Sequence, residues 1–230
     1  MASAPFVTDD SGIVGDGLVQ VQASVQGTTN DRDGTNGAAG LEVDLGIGGN
    51  TQIGVVLPVG FSAPNRSDLE TDSSVLAAGI KYQIASQSDD GWMPSVAFEP
   101  SVQFSLHKPT PQMADSGTHF FFPLWAERTW SHWAVFGGGG YRTNPGADGR
   151  DSVFSGAGVT RNIDDHVSIG MELFGETAIA KCGTGTIGSD IGANYAISNT
   201  LAVQLAIGAG MTPRGGTTNA TYFAGIQWVI

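Results

Sequence analysis

Leu41-Glu42-Val43-Asp44-Leu45-Gly46-Ile47 places an aliphatic side chain at each odd position and a carboxylate or glycine at each even one. Successive side chains of a strand point to opposite faces. One face of this segment suits hydrocarbon and the other suits water. The same alternation recurs in about twelve segments, with ten or fourteen as neighbouring solutions. The fold class it implies is all-β: a single closed, antiparallel, up-and-down transmembrane β-barrel.

Strands read at 17–26, 38–48, 51–61, 73–84, 94–106, 118–128, 131–142, 152–161, 166–176, 186–197, 200–211 and 219–230. Each approaches the roughly 9–11 residues that a tilted strand needs to cross a bilayer. The lipid face takes Ile53, Val55 and Leu57, then Met171 and Leu173, then Ile191, Leu205 and Ile207. For 118–128 and 152–161 both faces carry aromatics or small residues, so the inward face stays open there. Residues 16–230 form the barrel in this reading, and residues 1–15 form an N-terminal arm, either periplasmic or inserted into the lumen.

The composition agrees. Charged residues are 14% of the 230-residue chain and there are 34 glycines. Soluble domains average about 25% charged residues. The net charge of −12 leaves no basic stripe for phosphates, which excludes a nucleic-acid partner. No apolar run is long enough for a membrane-spanning helix. Met1-Ala2-Ser3-Ala4 lacks the charged and apolar regions of an export signal, so the reading expects a mature chain. A single cysteine, Cys182, excludes an internal disulfide framework and reads as a bystander.

The connections alternate in length. Gly48–Asn50, Thr129–Trp130, Asn162–Asp165 and Ser198–Asn199 are short. Gly27–Gly37, Ser62–Asp72, His107–Gly117, Thr143–Asp151, Thr177–Gly185 and Thr212–Thr218 are longer. Outer-membrane barrels have short periplasmic turns and long outer loops, so the termini are expected in the periplasm. Trp92, Trp125, Trp130, Trp133 and Trp228 fall near one rim, and Phe61, Phe120, Phe122, Tyr141 and Phe154 near the other. Two interfacial aromatic girdles are the expectation. Core aromatics of a water-soluble β-protein are the competing one.

The inward parity gathers Glu42, Asp44, Lys81, Glu99, Glu172, Glu176 and Asp190. Glu127, Arg128, Arg142 and Arg161 fall near the rims on less certain faces, and Arg142 joins the lumen set. A charge on the lipid face at mid-bilayer costs about 2–4 kcal/mol for Arg or Lys, which drives these residues inward. Two readings follow: an acid-lined passage favouring cations and neutral solutes, or an interior filled by structural ion pairs. Inward glycines such as Gly46, Gly54, Gly170 and Gly192 likewise mean either open space or close packing against an inserted segment, for which the arm with Asp9, Asp10 and Asp16 is available. His119 and Phe121 are candidates for the outer mouth.

A third reading, a membrane-rim hydrolase, stays open, but nothing in the sequence argues for catalysis. No nucleophile elbow, phosphate loop or dinucleotide fingerprint occurs, and Ser131 and His132 are sequence neighbours that point to opposite faces. His107, His119, His132 and His166 lack metal-ligand spacing. Asp31-Arg32-Asp33-Gly34 begins like a calcium loop but fails its full spacing. No cofactor is expected.

The second half carries Gly137-Gly138-Gly139-Gly140-Tyr141-Arg142-Thr143-Asn144-Pro145-Gly146 and Ser168-Ile169-Gly170-Met171-Glu172-Leu173-Phe174. The chain closes on Tyr222-Phe223-Ala224-Gly225-Ile226-Gln227-Trp228 and opens on Pro5-Phe6-Val7-Thr8-Asp9-Asp10-Ser11-Gly12. Together these stretches resemble the bacterial outer-membrane family called "MetA-pathway of phenol degradation". The resemblance implies an outer-membrane transporter or channel of a Gram-negative bacterium, porin-like, for passive uptake of small molecules, including aromatic or apolar compounds. It implies the lipid bilayer and lipopolysaccharide as surroundings, a small-molecule solute as cargo, and the barrel-insertion machinery as a partner during biogenesis. Many such barrels end in Phe, whereas this chain ends Trp228-Val229-Ile230.

Overall fold

A computed structural model describes residues 5–31, 34–64, 68–72, 75–88, 92–106, 117–145, 149–180, 183–212 and 217–230. Among them there is no helix. The strands are β1 (Val19–Asn30), β2 (Gly34–Ile47), β3 (Thr51–Ala63), β4 (Glu70–Asp72), β5 (Val75–Ala85), β6 (Ser95–Phe98) and β7 (Ser101–Ser105). They continue with β8 (His119–Trp130), β9 (Trp133–Arg142), β10 (Ser152–Asn162), β11 (Val167–Glu176), β12 (Thr186–Ala196), β13 (Leu201–Thr212) and β14 (Thr217–Val229).

These fourteen segments make a closed antiparallel barrel of 12 staves. β4 and β5 both run along β3. β6 and β7 share one position between β5 and β8. The stave expected over 94–106 breaks at Glu99-Pro100, because proline has no N–H to give the ladder. The gap is bridged: Ile80 N–H donates to the Pro100 carbonyl at 3.1 Å and Glu99 N–H to the Pro123 carbonyl at 3.1 Å. β1 closes the sheet on β14, and reciprocal 2.8 Å bonds between Val19 and Ile230 tie the two ends of the chain.

Alternation settles the faces. Ile207 is 64% exposed while its register neighbour Asp190, one residue out of step, is buried at 7%. Exposed aliphatics run round the wall as a belt, including Leu41, Val43, Ile53, Val55, Met171, Ile191 and Leu205. A belt of this kind is stable only against hydrocarbon. The faces left open now have answers. On β8, His119, Phe121, Trp125 and Glu127 point inward and Phe120, Phe122 and Leu124 outward. On β10, Ser152 and Phe154 point inward.

Two expectations need correction. Gly27–Gly37 and Thr212–Thr218 are not long loops. β1 and β2 pair as far as Asn30↔Gly34, and β13 and β14 as far as Thr212↔Thr217. Thr28, Thr29 and Asn36 continue the ladder beyond the apolar belt, where polar side chains on both faces are stable. The girdle also loses two members: Trp125 and Phe154 are buried inside the barrel, 3% and 5% exposed. Trp92, Trp130, Trp133 and Trp228 do face outward. Arg161 lies over the Trp133 ring at 5.2 Å on that same rim. Between β10 and β11, Asp164 accepts the N–H groups of His166 and Val167 at 2.8 Å each, which holds its carboxyl below the usual range.

Ile191 sits between Met171 and Ile207 at the centre of the belt. Ile191→Arg is expected to cost roughly 2–4 kcal/mol of folding free energy in lipid vesicles, read by reversible denaturant titration. A cost below about 0.5 kcal/mol would mean that this face does not meet hydrocarbon.

Candidate functional site

The inward face holds a lower polar layer and an upper aromatic one, and residues 5–16 lie against the lower. Both oxygens of Glu172 are used: Val7 N–H donates to Oε1 at 2.7 Å and Thr8 N–H to Oε2 at 2.9 Å. Lys81 Nζ donates to Asp9 Oδ2 at 2.7 Å, with Glu99 Oε2 a further 3.9 Å neighbour. Ser11 Oγ meets Ser95 Oγ at 2.6 Å, and the Ser11 carbonyl accepts Gln83 Nε2 at 3.3 Å. Val14 N–H donates to Gln52 Oε1 at 2.9 Å. Phe6 stacks on Phe136 at 5.7 Å. Backbone donors of the arm thus meet acceptors of the wall, and its carboxylate meets the inward ammonium. Buried polar groups require such partners.

Inward glycines make this approach possible. A Cβ on Gly46 would overlap the Gly15 carbonyl, and one on Gly156 would overlap the Thr8 hydroxyl. One on Gly192 would come within 2.9 Å of Pro5. Of the two readings of small inward residues, close packing against an inserted segment describes these positions.

The site residues fall into two groups. Glu42, Asp44, Lys81, Glu99, Glu172 and Asp190 belong to the lower layer. Asp44, Lys81, Glu172 and Asp190 are buried. Asp44 accepts Gln20 Nε2 at 3.4 Å, Asp190 accepts the Thr221 hydroxyl at 2.5 Å, and Glu99 accepts the Trp125 indole N–H at 2.7 Å. Arg142, Glu176, His119 and Phe121 belong to the upper layer. There the Arg142 guanidinium lies 4.7 Å over the Phe121 ring, and its Nε is 3.8 Å from Glu176. Ser152 donates to Glu176 at 2.6 Å, and a His119 ring nitrogen lies 3.0 Å from the Thr143 carbonyl. Cys182, His107, Arg32 and Asp33 lie outside the described residues. No group of His, Cys, Asp and Glu among the described residues could hold a metal ion.

Sequence reasoning missed the aromatic layer. Phe121, Trp125, Phe154 and Phe174 pack with ring centroids 6.2–6.4 Å apart, mostly edge to face. They surround a cavity of about 150 Å³ with Arg142 and Glu176 on its side and Val7 of the arm against it. The signal was parity: Phe174 is in step with Glu172, and Trp125 with Phe121. A second chamber of about 230 Å³, lined by His119, Asn144, Ser152 and Gln103, shares Phe121, Arg142 and Glu176 with the first.

No protein-family model and no curated protein sequence matches this chain. Among solved structures it is similar to the COG4313 outer membrane channel from Pseudomonas putida F1, at 13% identity over 96% of this chain and 98% of that one, with a TM-score of 0.70. It is similar to the KdgM porin at 10% identity, 90% and 98% coverage and a TM-score of 0.61. The NanC porin matches at 9% identity, with the same coverage and TM-score. At these identities the likeness is one of fold.

Breaking the Lys81–Asp9 pair leaves a carboxylate without its cation, and because Asp9 is 32% exposed the cost is below the roughly 3–5 kcal/mol of a fully buried pair. In a Cys182→Ser background, Ser11→Cys should therefore react slowly with a membrane-impermeant maleimide. Adding Lys81→Met should accelerate that labelling at least ten-fold. Equal rates would show that the pair does not hold the arm. The fold is a closed antiparallel barrel like that of these outer-membrane proteins, with part of its own chain against the inner wall.

Proposed function

We propose that this chain is an outer-membrane channel of a Gram-negative bacterium for the passive uptake of small molecules, aromatic or apolar compounds among them. The observation that carries the reading is the ring of Phe121, Trp125, Phe154 and Phe174 inside the barrel, toward the end that bears the longer connections. Rings facing lipid would be ordinary; rings turned inward, around a cavity, offer an apolar surface to a passing solute. The barrel comprises residues 16–230, with its termini in the periplasm and its longer loops outside, surrounded by lipid and lipopolysaccharide. The barrel-insertion machinery is its partner during biogenesis. The resemblance read in the sequence implies the same cargo, and no family model matches the chain for it. The chain acts without catalysis or cofactor.

One observation favours a second reading, a barrel filled by its own arm that does not conduct. Residues 5–14 make at least five polar contacts with the wall. The two readings combine if the arm is a plug that leaves its seat during passage. Glu42, Asp44, Glu99, Glu172 and Asp190 then line the vacated lower layer and set selectivity toward cations and neutral solutes. Glu176 and Arg142, with His119 and Phe121, form the mouth above it.

Planar-bilayer recording under a salt gradient tests this. The full chain should conduct in brief, small events, and a chain lacking residues 1–15 should conduct steadily with a cation-selective reversal potential. Glu42→Gln with Asp44→Asn and Glu99→Gln should move that reversal toward zero. A shortened chain that is folded, by heat-dependent gel migration, yet silent would favour the non-conducting reading.

A further inference from the structure

The neck where the two chambers meet holds a cation above an apolar cup. The side chain of Arg142 is 42% exposed, against 19% for Glu176. Among the described residues Glu176 is its only acidic neighbour within ion-pair reach, and it is 3.8 Å away through Nε alone. That carboxylate also accepts the Ser152 hydroxyl. The guanidinium carbon lies 4.7 Å over the Phe121 ring. A guanidinium presents a fork of N–H groups to a planar, two-oxygen acceptor.

The chamber below has the matching shape. A cavity of about 150 Å³ lined by apolar side chains accepts one benzene ring. Here the cavity is of that volume, with four aromatic rings and Val7 in its lining beside Thr186, Arg142 and Glu176, and aromatic walls suit another aromatic ring. The larger chamber above mixes His119, Asn144, Ser152 and Gln103 with Phe120 and Ile179.

We infer that the cup and Arg142 form one binding site for a single-ring aromatic carboxylate, its ring among Phe121, Trp125, Phe154 and Phe174 and its carboxylate on the Arg142 guanidinium. This deepens the transport reading and rests on it: the solute enters ring first and its charge is caught at the neck, before the acidic layer beneath. The more exposed member of the Arg142–Glu176 pair is the cation, so the neck selects an anion where the layer below favours cations. Glu176, 3.8 Å from the Arg142 Nε, competes with the incoming carboxylate.

Calorimetric titration of the detergent-refolded full chain with benzoate, benzylamine, benzyl alcohol and cyclohexanecarboxylate tests this. Benzoate should bind tighter than each of the others. Arg142→Gln should weaken benzoate about ten-fold, the scale of one charge-assisted contact, and leave benzyl alcohol within two-fold. Glu176→Gln should tighten benzoate several-fold, an outcome that misfolding does not produce. The assignment is overturned if benzylamine binds as well as benzoate, if Arg142→Gln changes nothing, or if cyclohexanecarboxylate matches benzoate. Bilayer recording of the same preparation separates the two levels. A conducting barrel without benzoate preference overturns this inference alone, whereas benzoate binding in a barrel that conducts in neither full nor shortened form supports the site and overturns transport.

Discussion

Hydrocarbon outside the sheet forces the charged side chains at bilayer depth inward, leaving Arg161 outside only at the rim, and the rest of the structure is arranged around that constraint. Closing the sheet satisfies the backbone, because a barrel has no edge. It also concentrates carboxylates in a confined space with one ammonium, Lys81, among the buried groups of the wall. Such groups are stable only with partners. Part of the chain's own N-terminal segment supplies them: two backbone N–H groups for Glu172, a carboxylate for Lys81 and a hydroxyl for Ser95. Glycines at Gly46, Gly156 and Gly192 leave the room for it.

Much of this was legible in the sequence, and the reason is local. Where one strand face is uniformly aliphatic, as in 41–47 or 167–173, parity alone assigns each side chain, and Glu42, Asp44 and Glu172 fall inside as read. Where aromatics occupy both parities, as in 119–125, parity has no contrast to work with, and register had to decide. That is why Trp125 and Phe154 read as girdle residues and the cup went unseen. Pro100 splits a stave because of a missing N–H, a signal that was present in the chain and outweighed by the alternation around it. Contacts between the arm and the wall span more than 160 residues at Glu172 and were beyond any local pattern.

The two layers divide the work of the lumen. The lower is polar and holds the chain's own segment; the upper is aromatic and open to solutes. Val7 belongs to both, since its N–H is bound to Glu172 while its side chain meets the cavity of the cup. Val7 stands two residues before Asp9, the partner of Lys81, so the cup and the arm's ion pair adjoin along the chain. The wall around them is continuous, with strands paired along ten or more positions at most interfaces.

The claim on which the account depends is that the segment sits where Ser11 and Ser95 touch, and a cross-link tests it most directly. In a Cys182→Ser background, Ser11→Cys with Ser95→Cys should oxidise to an intramolecular disulfide in the folded barrel, since the two hydroxyls are 2.6 Å apart. The locked protein should be silent in a bilayer and recover its conductance on adding reductant. A folded barrel in which the pair does not oxidise, or in which oxidation leaves conductance unchanged, would contradict it.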